Sequence, residues 1–288
     1  MVMPAKVVAV GEPEDAPLPP PIVILGSSPR EVSLVGAMIG RNPGAFEFPQ
    51  LNLFISDTLE GMFKAIPDPR QTHVHGLLRA LAYVYGSEQT INSIAMARRW
   101  MLRRLSWPTS RIFDELRTRI APRRMVEKSA IYSQDTKCLE RLRKASPDAY
   151  YVRIVEPAPR SGAVSASADG NKGPLDTRDQ QTVLREHLQV RKAERFISEA
   201  MKNITAEKLV ILQIERLLAD PRNELTQLCT RLQLPNDEAA VTKMLHPEQS
   251  PFASFGPVGA NLGDDPAFLR DPSVPLLNGP RTDVVTRD

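Results

Sequence analysis

The chain has 288 residues, enough for one large domain or two small ones with a buried core. Its 37 Lys and Arg side chains against 34 Asp and Glu leave a net charge of +3, too small an excess to argue by itself for nucleic-acid binding. A hydrophobic share of 42% is typical of folded globular proteins and argues against disorder of the chain as a whole.

Cysteine usage and hydropathy predict the compartment. Cys138 and Cys229 are too few and too far apart for a disulfide framework, so we expect two free thiols. No apolar run approaches the roughly 18 residues of a membrane span, and the N-terminus lacks the basic-then-apolar plan of a secretory signal. The sequence predicts a cytoplasmic protein with no membrane partner.

The first ordered element is predicted after a Pro-rich leader. Residues 1–21 combine several Pro with acidic side chains and predict a flexible segment. The apolar, β-branched run at 22–25 is typical of a buried parallel strand, and it ends in the Gly-Ser-Ser-Pro turn at 26–29. A helix is predicted next, and the Asn-Pro-Gly sequence at 42–44 ends it.

Later segments alternate between helical and strand patterns. Apolar stripes at helical spacing predict a helical insertion over about 57–120. Short strands are predicted at 124–127, 150–155 and 209–214, and helices at 135–145, 183–203 and 222–232. This alternation predicts an α/β fold, a parallel sheet of about four to five strands flanked by helices, in a single domain over 22–270 with a C-terminal tail at 271–288.

The segment from Gly26 to Ser33 is the first candidate binding site, because ligands bind at the carboxyl ends of parallel strands. Free N–H groups and the helix dipole suit a phosphate there, and Arg30 adds positive charge. The segment does not match the GxxxxGK[ST] phosphate-binding pattern. An ordinary strand-to-helix turn capped by Ser is the alternative interpretation.

Several segments carry a family resemblance by their order and spacing. They are the turn at 26–35, Phe48-Pro49-Gln50-Leu51-Asn52-Leu53-Phe54, Glu127-Lys128-Ser129-Ala130, Tyr151-Val152-Arg153-Ile154-Val155-Glu156-Pro157, the run at 212–221 and Leu232-Gln233-Leu234-Pro235. In this order they resemble the PAPS-dependent sulfotransferases, in particular those of bacterial polyketide and peptide assembly lines. The resemblance spans about 22–275 and implies the P-loop-like sulfotransferase fold.

The resemblance also implies an activity. Such an enzyme moves a sulfuryl group from 3′-phosphoadenosine 5′-phosphosulfate (PAPS) to a hydroxyl or amine and releases PAP. The acceptor would be a small molecule or a group bound to a carrier protein in natural-product biosynthesis. No nucleic-acid partner is expected, an oligomer is possible, and no metal is called for.

The resemblance assigns roles to individual residues. Cofactor-binding candidates are Gly26, Ser27, Ser28, Pro29, Arg30 and Ser33 on the 5′ side, and Arg153, Arg160 and Ser161 at the 3′-phosphate. Lys128 would hold the transferring group, a surface salt bridge being its alternative role. Gln50 stands where several branches carry a catalytic Glu, and an amide cannot take a proton. His73, His75 and His187 are therefore the candidate bases.

Departures from the family pattern support other functions. Glu31 and Val32 replace a Gly and a Thr of the binding loop, and Glu156 replaces the Arg that family members use on the 3′-phosphate. One alternative is a catalytically impaired sulfotransferase-like protein that acts as a binding or scaffold partner. Another is an enzyme that kept the pocket and changed the reaction.

Two further features suggest a basic lid and a nucleotide-contacting loop. Residues 98–124 contain nine Arg and two acids, which predicts a basic lid over an anionic cofactor or, alternatively, a solvated helix face. The Gly-rich segment at 256–266 resembles a late segment of the assembly-line enzymes, and its backbone is expected to approach the nucleotide.

Overall fold

A computed structural model describes residues 17–155, 177–202 and 204–274, except for the side chains at 177–187 and 189. Its centre is one five-stranded sheet in which every strand pair is parallel. The strands, in chain order, are β1 (Ile22–Leu25), β2 (Ala45–Glu47), β3 (Arg124–Glu127), β4 (Tyr150–Val155) and β5 (Leu209–Gln213). Their order across the sheet is β2-β3-β1-β4-β5, so β1 lies in the middle.

Helices cover both faces of the sheet. They are α1 (Pro29–Gly40), α2 (Leu59–Ala65), α3 (His75–Gly86), α4 (Ile91–Leu102), α5 (Thr109–Ile120), α6 (Thr136–Ala145), α7 (Thr177–Met201), α8 (Ile214–Ala219), α9 (Pro221–Leu232), α10 (Glu238–Met244) and α11 (Pro266–Arg270). No helix in the described ranges has the length and apolar character needed to cross a bilayer.

The central strand divides the core into two layers. Along β1, Val23 and Leu25 pack with the helical insertion, α6 and the end of α7. Ile22 and Ile24 point to the opposite face and pack with α1, α9, α10 and α11. Successive side chains of a strand alternate between faces, so an entirely apolar run is what a strand covered on both sides requires.

The fold class predicted from the sequence is confirmed. The sheet is parallel and has five strands, and four helices, α2 to α5, form the insertion predicted over about 57–120. The sequence analysis missed β2, because three residues are too few to show a strand period. The last predicted strand ends one residue earlier than expected, since Ile214 begins α8.

The described end of the leader is bonded to the domain. The carbonyl oxygen of Pro21 accepts a hydrogen bond from the backbone N–H of Tyr150, 2.9 Å away. Arg124 Nε donates to Pro20 O at 2.7 Å, and Arg117 Nη2 donates to Pro19 O at 3.1 Å. Two buried arginines of the basic run therefore fix the entry of the chain into β1.

The connection from α1 to β2 depends on Asn42, which is 1% exposed. Its side-chain oxygen accepts from Gly44 N at 2.9 Å, and its amide nitrogen donates to Pro235 O at 2.8 Å. The side chain thus closes its own turn and ties it to the chain after α9. Both backbone partners lose their hydrogen bond if the amide is removed.

We therefore expect Asn42→Ala to lower the free energy of unfolding by about 2 kcal/mol, measured by urea denaturation. Asn92→Ala, at an exposed position of α4, is the matched control and should change stability by less than about 0.5 kcal/mol. Equal effects of the two substitutions would show that Asn42 does not hold this turn.

Candidate active site

The turn between β1 and α1 is tightly packed. Gly26 is buried, and a Cβ there would lie 3.0 Å from Val32 Cγ2 and 3.2 Å from Ile154 Cβ. Its N–H donates to Ser133 Oγ at 3.4 Å. Ser28 caps α1 by accepting from Glu31 N, as the alternative interpretation of this segment expects. The turn therefore sits rigidly at the carboxyl end of the central strand.

A cavity of about 500 Å³ opens beside this turn. Its lining consists of Ser27, Pro29, Ser133, Gln134, Val190, Lys192, Ala193 and Phe196. Two hydroxyls, an amide and an ammonium thus converge next to the N-terminus of α1, and α7 supplies an apolar wall. A volume in the range of ligand pockets, with a few polar groups on one side, suits an organic anion.

The sequence analysis found only part of this lining. Ser27 and Pro29 were predicted from the strand-to-helix pattern. Ser133 and Gln134 follow the family-like segment after β3 but carry no motif. Lys192 is an exposed lysine on a long helix, and nothing in the local sequence distinguishes it from a solvated charge.

A buried ion cluster lies at the ends of β2 and β3. Lys128 Nζ is 2.8 Å from Glu47 Oε2 and 2.6 Å from Asp264 Oδ2, and the Lys128 side chain is 0% exposed. Ser33 Oγ donates to Asp264 Oδ1 at 2.5 Å, and Ser250 Oγ donates to Glu47 Oε1. Two strands, α1 and the C-terminal segment are joined at this one cation.

Two carboxylates keep the buried ammonium of Lys128 charged. Burial by itself lowers the pKa of Lys128, but Asp264 and Glu47 outweigh it and raise that pKa above its usual value. Burial raises the pKa of Glu47, with Lys128 opposing the change. The ammonium therefore remains charged and bound to its two carboxylates.

A third buried carboxyl, Glu127, precedes this lysine. Its Oε1 accepts from Ser129 N at 3.1 Å and from Ser129 Oγ. Burial raises the pKa of Glu127 to about 7 against these hydrogen bonds. Ser129 Oγ also accepts from Asn52 N at 2.9 Å, so two of the family-like segments meet here, inside the protein.

Gln50 adjoins the ion cluster. Its Nε2 donates to Asp264 Oδ1 at 3.5 Å, and its backbone N–H donates to Gly263 O at 2.7 Å. The structure thus brings Gln50, Ser33 and Lys128 together around Asp264, and none of the three lines the cavity beside α1. Cofactor binding by Ser33 and sulfuryl binding by Lys128 stay predictions, and both require Asp264 to move.

The histidines differ in their surroundings. His75 is 5% exposed, and its Nδ1 accepts from Leu262 N at 3.4 Å. Burial lowers the pKa of His75, which keeps the imidazole neutral at pH 7. His73 Nε2 lies 2.9 Å from Met62 O and donates to it. The side chain of His187 lies outside the described residues.

The charged residues assigned to the cofactor have protein partners or lie outside the described residues. Arg153 Nη2 is 3.0 Å from Glu194 Oε2 and 2.9 Å from Ser198 Oγ. Both partners belong to α7, so the Arg153 guanidinium is bonded to that helix. Arg30 lies near Asp271, whose pKa is lowered mainly by Ser273 and further by Arg30. Arg160, Ser161, Glu156 and Val164 are outside the described residues.

The Gly-rich segment packs on α3. Arg79, which is 1% exposed, donates to Leu262 O at 3.1 Å. Gly263 has φ +117°, and a Cβ there would lie 3.0 Å from Gly76 Cα, so this position requires glycine. The segment places Asp264 against Lys128 and does not line the cavity beside α1, and its approach to a nucleotide stays a prediction.

The basic run does not form a lid over the cavity beside α1. Arg104 stacks on Trp100 at 4.2 Å, and Arg111 stacks on Trp107 at 3.7 Å, from guanidinium carbon to ring centroid. The residues that line the cavity all belong to other segments. Exposed arginines of α4 and α5 agree with the alternative, a solvated helix face.

Lys128→Met should destabilise the fold by about 3–5 kcal/mol in urea denaturation, because it leaves two buried carboxylates without a cation. The matched control is Lys202→Met, which removes an exposed pair with Glu199 and should cost less than about 1 kcal/mol. Adding Glu47→Gln and Asp264→Asn to Lys128→Met should recover part of the loss. A loss equal to that of the control would contradict the role of the cluster.

Glu127→Gln should change how stability depends on pH. Between pH 4.5 and about 7, folded Glu127 keeps a proton that the unfolded chain has released, so its contribution to stability falls as pH rises. The variant should match the wild type near pH 4.5 and exceed it by about 3 kcal/mol at pH 8. Glu140→Gln, at an exposed position of α6, should show no such divergence. Parallel curves for wild type and Glu127→Gln would contradict the raised pKa.

Two solved structures share this architecture over most of their length. The sulfotransferase domain from the curacin biosynthetic pathway has a TM-score of 0.68 and 24% identity, covering 90% of this chain and 88% of that domain. The sulfotransferase domain from the Synechococcus PCC 7002 olefin synthase has a TM-score of 0.65 and 22% identity, covering 91% of this chain and 87% of that one.

No protein-family model matches the sequence, and a comparison with curated proteins gives no significant match. At these identities the structural likeness establishes the fold. The resemblance drawn from the sequence segments is confirmed at that level: the chain has the P-loop-like α/β fold of the assembly-line sulfotransferase domains.

Proposed function

We propose that the protein is a sulfotransferase that moves a sulfuryl group from PAPS to a hydroxyl or amine of a small-molecule or carrier-bound acceptor. The observation that carries this proposal is the polar cavity at the carboxyl end of β1, beside the N-terminus of α1, in a chain with the sulfotransferase fold. The curacin and olefin synthase neighbours support an acceptor from natural-product biosynthesis.

The residues around the cavity fit an anionic nucleotide. Ser27, Ser133, Gln134 and Lys192 supply hydrogen-bond donors on one side, and the positive end of the α1 dipole faces the same space. Phe196 supplies an apolar surface on the α7 side. When bound, the cofactor supplies the activated sulfuryl group, and these side chains hold and orient it.

The acceptor must lose a proton as it gains the sulfuryl group. Gln50 cannot accept that proton, because an amide has no basic site near neutral pH. His75 is the described candidate base, since its lowered pKa keeps the ring neutral and it contacts the same C-terminal segment as Gln50. The base assignments of His75 and His187 are part of the proposal.

The proposal predicts that PAP raises the melting temperature and that Lys192→Gln weakens PAP binding at least about tenfold, because the cation that lines the cavity is lost. Calorimetric titration measures the affinity. Lys202→Gln, an equal charge loss just after the end of the same helix, should leave the affinity unchanged.

Absence of a melting shift at about millimolar PAP, in protein shown to be folded, would contradict the proposed function. Equal weakening by Lys192→Gln and Lys202→Gln would mean that the cavity beside α1 is not where PAP binds. A transfer assay measures the release of PAP from PAPS in the presence of hydroxyl and amine acceptors. It distinguishes a working enzyme from a protein that only binds the nucleotide.

A further inference from the structure

A second cavity lies at the edge of the sheet, around the connection from α1 to β2. Its volume is about 260 Å³. Its lining consists of Gly40, Arg41, Asn42, Pro43, Ala45, Phe46, Glu47, Tyr83, Arg123, Lys243, Ser250 and Pro251. It shares no lining residue with the cavity beside α1, so the proposed cofactor site does not account for it.

The charges around this edge cavity are unbalanced. Three cations line it: Arg41, Arg123 and Lys243. The one acidic residue of its lining, Glu47, is 2% exposed and is bonded inside the protein to Lys128 and to Ser250. Within the described ranges none of the three cations forms an ion pair with a carboxylate. The edge cavity therefore presents positive charge without a protein counter-ion.

Two of the cations are held in place by neighbouring side chains. Arg41 Nη2 donates to Gln249 Oε1 at 2.9 Å, while its Nε is buried and has no hydrogen-bond partner in the described part of the protein. The Arg123 guanidinium lies 4.4 Å from the centre of the Phe46 ring, which in turn stacks on Tyr83 with ring centroids 5.7 Å apart. Positioned guanidinium groups suit tetrahedral oxyanions.

We propose that the edge cavity binds a small phosphate monoester through Arg41, Arg123 and Lys243. The phosphate supplies the missing counter-ion and accepts hydrogen bonds from these guanidinium and ammonium groups. The volume is below the usual range for drug-sized ligands, which favours a phosphate on a short organic group over a nucleotide. Binding here does not depend on the proposed sulfuryl transfer.

Inorganic phosphate is the probe for this site. Titration of the full chain at constant ionic strength, with chloride as the reference anion, should show binding at about millimolar concentration. The double variant Arg123→Gln/Lys243→Gln should weaken phosphate binding at least about tenfold and leave PAP binding unchanged. The matched control Arg99→Gln/Arg103→Gln removes two exposed cations at the C-terminal end of α4 and should retain phosphate binding.

Lys192→Gln separates the two cavities, because it should weaken PAP binding and retain phosphate binding. The proposal is overturned if phosphate does not bind at about 10 mM. It is also overturned if the Arg123/Lys243 and Arg99/Arg103 double variants lose affinity equally, since that result would reflect net charge alone. Circular dichroism of each variant without ligand verifies that it is folded.

Discussion

A single buried ammonium organises the architecture. Lys128 at the end of β3 is removed from water, and two carboxylates from distant parts of the chain, Glu47 and Asp264, compensate for the lost hydration. Asp264 also binds Ser33, so α1 is included in the same network. Removing Lys128 leaves two buried carboxylates without a counter-ion, and the C-terminal segment is therefore held in one position by electrostatics as well as by packing.

In this network, side chains that the resemblance assigns to ligand binding are bonded to other parts of the protein. The resemblance had placed Lys128 and Ser33 at the transferring group and the cofactor, yet the polar atoms of both are bonded inside the protein. The open cavity lies on the other side of the turn, where Ser27 faces Lys192 of α7. A loop that departs from the family's binding pattern can still form an anion site when a cation from another helix supplies the positive charge that the loop lacks.

Only structural features with a local sequence pattern could be predicted. Apolar runs predicted β1 and β4, because buried strands leave a continuous signal, and the alternation of strands with helices predicted that the sheet is parallel. The same reasoning could not show that Lys128 is buried, since its carboxylate partners are far away in the sequence. The role of Lys192 could not be predicted for a similar reason. It depends on the position of α7 against the β1 turn, which is a tertiary contact with no local sequence signature.

The bonds between the leader and Arg117 and Arg124 fix the place where the chain enters the sheet. The chain enters β1 at the amino edge of a fully parallel sheet, and the cavity beside α1 lies past the carboxyl end of the same strand. The two are at opposite edges of the sheet. The segment that enters β1 and the cavity beside α1 are therefore separated by the length of the central strand, and the bonds that anchor the entering segment leave the cavity open.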